Sequence, residues 1–267
     1  MSFSPFRYPG GKGKMLPVLM EYIDSILKDG NSFCDAFVGG GSVALEVANK
    51  YPKSSIFLND KDYNIYCFWK IIADSDINKL NELLQLMTEQ PTIELFYKLR
   101  GTPANSDVES AYRGIFFNRT TFSGIAYSGP IGGKDQNSKY TVDCRYNFKK
   151  LKEKMLKCNK LLSGRTVVSN EDFSTYSLYS DASAVLYCDP PYFQKGDILY
   201  VQKMNDEQHK ILSGLLNKRS NWILSYDDCP EIRDLYKSNK IIDFAVRYSI
   251  NGEKSSWQNK NELIILP

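Results

Sequence analysis

The stretch Ser32-Phe33-Cys34-Asp35-Ala36-Phe37-Val38-Gly39-Gly40-Gly41-Ser42 decides the fold of this 267-residue chain. Its apolar first part predicts a buried strand over residues 32–38, and the glycines that follow predict a tight turn. Residues 42–50 then carry the apolar spacing of a helix. Because glycine has no Cβ, the backbone at this turn is able to approach a ligand closely. The stretch therefore predicts a strand, a ligand-binding turn and a helix.

The same alternation of strand and helix continues along the chain. Short apolar runs predict further strands at residues 55–58, 165–169, 184–188 and 222–225. Helical spacing predicts helices at residues 14–27 and 207–217, the second with Asp206 as its N-cap. Two late runs, 241–248 and 262–266, are joined only by a polar stretch, which predicts an antiparallel hairpin. The expected fold class is α/β, a Rossmann-like and mostly parallel sheet with helices on both faces.

The alternation breaks between residues 63 and 162. Helical patterns at 77–87, 92–99 and 149–162 flank a middle part, 116–135, that is rich in glycine, threonine, serine and aromatic residues. We interpret residues 63–162 as an inserted domain with a loop-rich working surface. Residues 1–62 and 163–267 would then form the domain that contains the sheet.

Composition excludes some classes of protein and leaves others open. The chain has 34 Lys and Arg against 31 Asp and Glu, so its net charge of +3 does not by itself indicate a nucleic-acid partner. The six cysteines form no Cys-x-x-Cys pair and His209 is the sole histidine, so no metal is predicted. The first residues lack the apolar core of a signal peptide, and no apolar run is long enough to span a bilayer. We expect a cytoplasmic protein without a membrane partner.

The glycine turn and the next strand together indicate an adenosine-containing ligand. Asp60 follows the second predicted strand, where its carboxylate is positioned to accept both hydroxyls of a ribose. A dinucleotide-binding turn usually has a third glycine three residues after the second, and Ala44 stands there instead. The spacing favours an adenosyl ligand without deciding which one.

The run Asp189-Pro190-Pro191-Tyr192 follows a predicted strand and supplies the candidate catalytic residues. Two successive prolines fix φ and hold the backbone carbonyls stiffly. The Asp189 carboxylate and the Pro190 carbonyl would each accept one N–H of an exocyclic amine, while Tyr192 stacks on its ring. Such an amine is a poor nucleophile because its lone pair is delocalised into the ring. Two acceptors favour a tetrahedral nitrogen and stabilise the charge that develops when it takes a methyl group.

These residues resemble the Dam-type DNA adenine-N6 methyltransferases (D12 class, alpha arrangement) over nearly the whole chain. The matching pieces occur in the family's order: 6–14, 35–42, 59–60, 118–119, 170–173, 189–192, 224–228, 247–250 and 262–263. The resemblance implies a cofactor, S-adenosyl-L-methionine, which would leave as S-adenosyl-L-homocysteine. The substrate it implies is double-stranded DNA, from which a flipped adenine enters the pocket.

The resemblance also implies roles for cofactor-binding residues. Tyr8 and Lys12 would lie over the cofactor and the reaction centre, and Asp189 would touch both cofactor and target. The remaining implied contacts extend along the cofactor from its methionine part over the ribose to the adenine. The residues that would make them are Asp35, Phe37, Gly39, Asp60, Asp172 and Phe173.

The inserted domain would by resemblance be the target-recognition domain. Its DNA-binding candidates, together with Lys12, are Asn118, Arg119, Tyr127, Lys134 and Arg145. Family members that read GATC carry a basic residue where this chain has Tyr127. Because guanine is most often contacted by Arg or Lys in the major groove, this difference argues against GATC as the recognition sequence.

Three alternatives remain open from the residues alone. The two-acceptor chemistry serves the N4 amine of cytosine equally well, so a cytosine-N4 methyltransferase is the nearest alternative. An enzyme that methylates RNA or a protein glutamine amide is more distant, because it would not need so large an insertion. A catalytically inactive DNA-binding protein on the same fold is the third. The resemblance also raises a cognate restriction endonuclease acting separately, whereas the oligomeric state and a viral or bacterial origin stay undetermined.

Overall fold

A computed structural model describes residues 3–7, 12–175, 183–193, 204–249 and 257–267 of the chain. Within them the chain forms a seven-stranded sheet in the order β3-β2-β1-β4-β5-β7-β6. The strands are β1 Phe33–Asp35, β2 Ile56–Asn59, β3 Thr166–Ser169, β4 Val185–Cys188, β5 Trp222–Asp227, β6 Lys240–Ser249 and β7 Trp257–Leu266. Strands β1 to β5 are parallel, and β7 runs antiparallel between β5 and β6. The predicted α/β class and the C-terminal hairpin are confirmed.

The helices connect these strands and cover the sheet. In the described residues they are α1 Leu16–Ile26, α2 Ser42–Lys50, α3 Tyr63–Ala73, α4 Asn78–Leu86, α5 Ile93–Gly101, α6 Asp107–Thr120, α7 Phe148–Leu162, α8 Asp206–Leu216 and α9 Pro230–Leu235. None of them has both the length and the apolar character needed to cross a bilayer.

Successive strand residues point to opposite sides of the sheet, and helices bury the side chains on both sides. On one face Phe33 and Tyr187 pack with residues of α1, α2, α3 and α7. On the other face Cys34 and Cys188 pack with residues of α8 and α9. The first of these two cores continues into α4, α5 and α6, so the segment 63–162 shares one hydrophobic core with the sheet.

The sheet opens a crevice where β1 ends between β2 and β4. Directly after β1, the Ala36 N–H donates to the Tyr187 carbonyl of β4, and two residues later the Val38 N–H donates to the Asn59 carbonyl of β2. The backbone thus crosses from one neighbour to the other, which is why β1 ends at Asp35 and not at residue 38 as predicted. Parallel α/β sheets bind ligands at this topological switch point, outside the carboxyl ends of the strands.

Two local predictions were wrong for identifiable reasons. Asp206 is the first residue of α8 and not its cap, because Asn205 forms a capping box with Gln208. Residues 116–120 belong to α6 and not to a loop. Helix α6 is buried on several sides, so it lacks the one-sided apolar pattern by which a helix is recognised in a sequence.

Gly41 is the N-cap of α2 and has a conformation that other residues rarely adopt. Its φ of 66° lies in the left-handed region, and a Cβ built there would lie 2.5 Å from a ring atom of Trp69. The Trp69 ring is fully buried, and its Nε1 donates to the Gly39 carbonyl at 2.9 Å. Trp69 therefore supports the glycine turn from below and leaves no room for a side chain.

We predict that Gly41→Ala lowers the free energy of unfolding by about 2 kcal/mol or more, because left-handed backbone alone costs about 1–2 kcal/mol and the buried indole must also shift. Urea unfolding measures this loss. Gly214→Ala is the matched control, since Gly214 lies in α8 with open space around its Cβ position. The control should gain about 0.5–1 kcal/mol from helix propensity. Equal stabilities of the two variants would contradict the packing described for Gly41.

Candidate active site

Lys12 lies buried between two carboxylates at the carboxyl edge of the sheet. Its Nζ is 2.9 Å from Asp189 Oδ1 and 3.1 Å from Glu262 Oε2, and it also donates to the Tyr192 hydroxyl. The Tyr192 hydroxyl in turn donates to Glu262 Oε2 at 2.9 Å. A buried charge is tolerated only when it is paired and hydrogen-bonded, and this arrangement satisfies both needs.

Asp189 is held from a second side by strand β5. The Ser225 hydroxyl donates to Asp189 Oδ1 at 2.9 Å, and the Tyr187 hydroxyl lies 2.9 Å from the Ser225 hydroxyl. Among the described residues, the hydrogen bonds to the Asp189 carboxylate all go to Oδ1. Oδ2 therefore remains available as an acceptor.

The environment of Asp189 acts on its ionisation in two directions. Burial raises the pKa of this carboxyl above its usual value, while the charge and hydrogen bond of Lys12 oppose that rise. The nearby Glu262 carboxylate raises the pKa further. The same effects act on Asp35 at the end of β1, where burial and then the Asp189 charge raise the pKa well above its usual value.

Asp60 joins the glycine turn to the start of α3. Its Oδ2 accepts the Gly39 N–H at 2.8 Å, and its Oδ1 accepts the Asp62 N–H at 2.9 Å. Each carboxylate oxygen keeps a lone pair for a further donor. Burial and then the charge of Asp62 raise the pKa of Asp60 to about 7.

Aromatic and acidic side chains form the other end of the same crevice. The Phe37 and Phe173 rings lie 5.6 Å apart between centroids, at an angle of 36°. Asp172 accepts from Lys61 Nζ at 2.5 Å and from Ser174. Burial raises the pKa of Asp172, but these hydrogen bonds outweigh it and bring the pKa to about 2.

One continuous cavity runs along these groups. The predicted residues that line it are Lys12, Asp35, Phe37, Gly39, Asp60, Asn118, Asp172, Phe173, Asp189 and Pro191. Pro190 and Tyr192 are buried beside it, and Tyr8 lies outside the described residues. The structure thus brings the predicted cofactor-binding and catalytic residues to one place, although they come from distant parts of the chain. In the described residues no cluster of His, Cys, Asp and Glu has the arrangement of a metal site.

Sequence reasoning missed two residues that support this cavity. Glu262 lies in β7 directly before its apolar end, where an isolated acid is a signal of a buried, paired charge. Asn59 is buried, and its amide donates to the carbonyls of Ala36 and Glu171 while its oxygen accepts from Ser169. Asn59 thereby joins the ends of β1, β2 and β3 beneath the cavity.

The candidate DNA contacts fall into two groups in the structure. Tyr127, Lys134 and Arg145 are exposed, with 71% of the Tyr127 surface accessible. Asn118 is buried, and its side chain accepts the Arg7 N–H at 2.7 Å and donates to the Arg7 carbonyl at 2.6 Å. Arg119 donates to the Pro5 carbonyl. These last two side chains bind the N-terminal segment, and Asn118 also lines the cavity.

The fold and this cavity together are those of a methyltransferase with a Rossmann-like sheet. The chain belongs to the D12 class N6 adenine-specific DNA methyltransferase family, whose model matches residues 8–250. It is thus a member of an adenine-specific DNA methyltransferase family, as the sequence predicts.

Individual relatives agree with this assignment. The Type II methyltransferase M.MjaIII of Methanocaldococcus jannaschii is 27% identical over 72% of this chain and 70% of its own length. The Type II methyltransferase M.CviBI of Paramecium bursaria Chlorella virus NC1A is 21% identical, with 97% of each chain covered. The DNA adenine methylase of Escherichia coli (strain K12) is 23% identical over 97% of this chain and 93% of its own length.

We predict that Asn118→Ala destabilises the fold by about 1–3 kcal/mol, because it leaves the Arg7 N–H and carbonyl without their partner. Urea unfolding is the measurement. Asn81→Ala, at an exposed position of α4, is the control and should leave stability nearly unchanged. A loss no larger than that of the control would show that solvent replaces the Asn118 hydrogen bonds.

Proposed function

We propose that the chain transfers a methyl group from S-adenosyl-L-methionine to the N6 amine of an adenine flipped out of duplex DNA. One observation carries this proposal: the Asp189 carboxylate lines the same cavity as the glycine turn, and among the described residues its hydrogen bonds, from Lys12 and Ser225, go to Oδ1. A positioned acceptor next to an adenosyl-type cleft is what methylation of an exocyclic amine requires.

The residues along the cavity fit the proposed cofactor. Asp60 would accept the ribose hydroxyls with its remaining lone pairs, and Phe37 and Phe173 would contact the adenine. Asp35 and Gly39 would border the methionine part. S-adenosyl-L-methionine, when bound, supplies a methyl group on a positively charged sulfur. The acidic groups of the cavity favour a ligand with that charge.

Asp189 and its neighbours would activate the target amine. Asp189 Oδ2 and the Pro190 carbonyl each accept one N–H, which draws electron density onto the nitrogen, and the Tyr192 ring stacks on the base. Lys12 and Ser225 keep the carboxylate in one orientation through Oδ1. The positive charge that develops on the nitrogen is stabilised by these fixed acceptors.

Residues 63–162 are proposed to contain the DNA-recognition surface. Phe122 and Tyr127 are 67% and 71% exposed on the loop that follows α6. Arg100 supports this loop, because its guanidinium contacts both the Phe96 and the Phe117 ring and donates to the Ala126 carbonyl at 2.8 Å. Exposed Lys134 and Arg145 would add phosphate contacts. Asn118 and Arg119 would support the surface through the N-terminal segment.

The proposed reaction also bears on the recognition sequence, the cellular location and a partner enzyme. A recognition sequence other than GATC is proposed from Tyr127, and a cytoplasmic location follows from DNA as the substrate. The names of the archaeal and viral relatives contain "Type II methyltransferase", which supports a cognate restriction endonuclease acting separately.

We predict that Asp189→Ala reduces methylation at least about 1000-fold, because the amine loses its charged acceptor. The gene is expressed in cells free of DNA methylation, and single-molecule sequencing of their DNA reports the modified base and its context. Asp234→Ala, at an exposed position of α9, is the control and should retain full activity. N6-methyladenine formed by Asp189→Ala at the unaltered rate would overturn the proposed role of Asp189. N4-methylcytosine without N6-methyladenine from the wild type would overturn the choice of adenine.

We predict that cofactor affinity depends on pH through Asp60, whose pKa is about 7. The ribose hydroxyls donate to the ionised carboxylate, so protonation below that pKa weakens binding and ionisation above it permits binding. Calorimetry with S-adenosyl-L-homocysteine should show affinity rising about tenfold per pH unit below the pKa and constant above it. Asp60→Asn should bind weakly and without this dependence. An unchanged slope in Asp60→Asn would exclude Asp60 as the titrating group.

A further inference from the structure

Glu262 is a buried carboxylate for which the proposed chemistry has no direct use. It is 5% exposed and does not line the cavity. Its register partner on β5 is Asp227, at the carboxyl end of that strand. Because β7 runs antiparallel to β5, its earlier residues lie at the edge of the sheet where the parallel strands end. The antiparallel strand β7 thus places the Glu262 carboxylate at the edge of the sheet where the candidate active site lies.

The contacts of Glu262 close a triangle with two candidate active-site residues. Its Oε2 accepts from Lys12 Nζ at 3.1 Å and from the Tyr192 hydroxyl at 2.9 Å, while Lys12 also donates to Tyr192. Lys12 Nζ lies 4.8 Å from the centroid of the Tyr192 ring. Three mutual contacts restrict both side chains to one arrangement. The plane of the Tyr192 ring and the direction of the ammonium are therefore set together by Glu262.

Lys12 divides its charge between two carboxylates. Its Nζ contacts both Asp189 and Glu262. With Asp189 as its one acidic partner, Lys12 would largely neutralise the carboxylate that has to stabilise a developing positive charge. With Glu262 present, the ammonium is shared, and Glu262 opposes its effect on Asp189, because the Glu262 charge raises the pKa of Asp189 while the Lys12 charge lowers it.

We propose that Glu262 is a positioning residue for methyl transfer, which fixes Lys12 and Tyr192 and shares the Lys12 charge so that Asp189 stays an effective acceptor. This inference rests on the proposed function. It assigns Glu262 an electrostatic role in the reaction in addition to its place in the packing of β7.

The pH dependence of the reaction separates this role from a structural one. Several charged and titratable groups of the described segments surround Asp189. They are Lys12, Asp35, Tyr187, Cys188, Tyr192, Asp227 and Glu262. Replacing Glu262 by glutamine removes one negative charge from this set, which lowers the pKa of Asp189 because Glu262 raises it. Since the reaction needs ionised Asp189, activity should then persist to lower pH.

The experiment measures single-turnover methylation of duplex DNA as a function of pH, with DNA and S-adenosyl-L-methionine both saturating. At saturation the cofactor stays bound at every pH, so the effect of Asp60 ionisation on cofactor affinity does not shape the rate profile. We expect Glu262→Gln to reduce the rate constant by about 10-fold to 100-fold and to move the acid limb toward lower pH. The affinity for S-adenosyl-L-homocysteine should change much less than the rate constant, because Glu262 lies outside the cavity and acts on it through Lys12.

Three variants complete the test. Glu262→Asp keeps the charge but withdraws it from its partners, so the rate should fall while the acid limb stays in place. Tyr192→Phe removes only the hydroxyl and should likewise lower the rate without moving the limb. Glu21→Gln makes the same change of net charge at an exposed position of α1 and should leave both unchanged.

The outcomes distinguish this inference from the function on which it rests. An inactive wild-type protein would contradict the proposed function, whatever the variants do. An active wild type with a Glu262→Gln acid limb that coincides with its own would overturn the electrostatic role of Glu262. A wild-type rate in Glu262→Asp would overturn its positioning role, and this holds even if Glu262→Gln fails to fold.

Discussion

The buried ammonium of Lys12 is the constraint on which the architecture of the site depends. An unpaired charge in this position would cost several kcal/mol, so its partners must be present whenever the chain is folded. They come from the end of β4, from the turn after it and from β7. The segment that contains Lys12, the parallel part of the sheet and the C-terminal hairpin therefore have to meet at one point. The antiparallel direction of β7 makes this possible, because it brings Glu262 to the edge where the parallel strands end.

At the cofactor end of the cavity, the same crowding of carboxylates has a different consequence. Burial raises the pKa values of Asp35 and Asp60, and each is also raised by a neighbouring acid. A ligand that carries positive charge and donates hydrogen bonds relieves this unfavourable state. Beneath these carboxylates, the Asn59 amide fixes the backbone by donating to the Ala36 and Glu171 carbonyls. Asp35 and Asp60 themselves line the cavity, where a ligand can reach them. The crevice and its charge are thus complementary to a cationic adenosyl compound.

The inserted segment is joined to the site through the N-terminal residues 3–7. Lys154 of α7 donates to the Ser4 carbonyl at 2.7 Å, and the Ser4 hydroxyl donates to the Gly40 carbonyl at 2.5 Å. Asn118 of α6 binds both backbone groups of Arg7. The proposed DNA-recognition surface is consequently connected by hydrogen bonds to the glycine turn and to residues 3–7. Phe6, which packs on Phe68 and Trp69, anchors this segment in the core.

The sequence by itself determined the alternation of strands and helices and the hairpin, and it predicted the acceptor chemistry of Asp189 to Tyr192, because these depend on local spacing and on backbone restriction by glycine and proline. It also identified Asp60 and Lys12, the second only through family resemblance. Only the tertiary structure decided that Glu262 completes the cluster and that Asn118 binds Arg7, since both contacts join residues more than 100 positions apart. Helix α6 escaped prediction for a related reason. Its surroundings are apolar on several sides, and burial of that kind is a property of the packed molecule and leaves no periodic pattern in the chain.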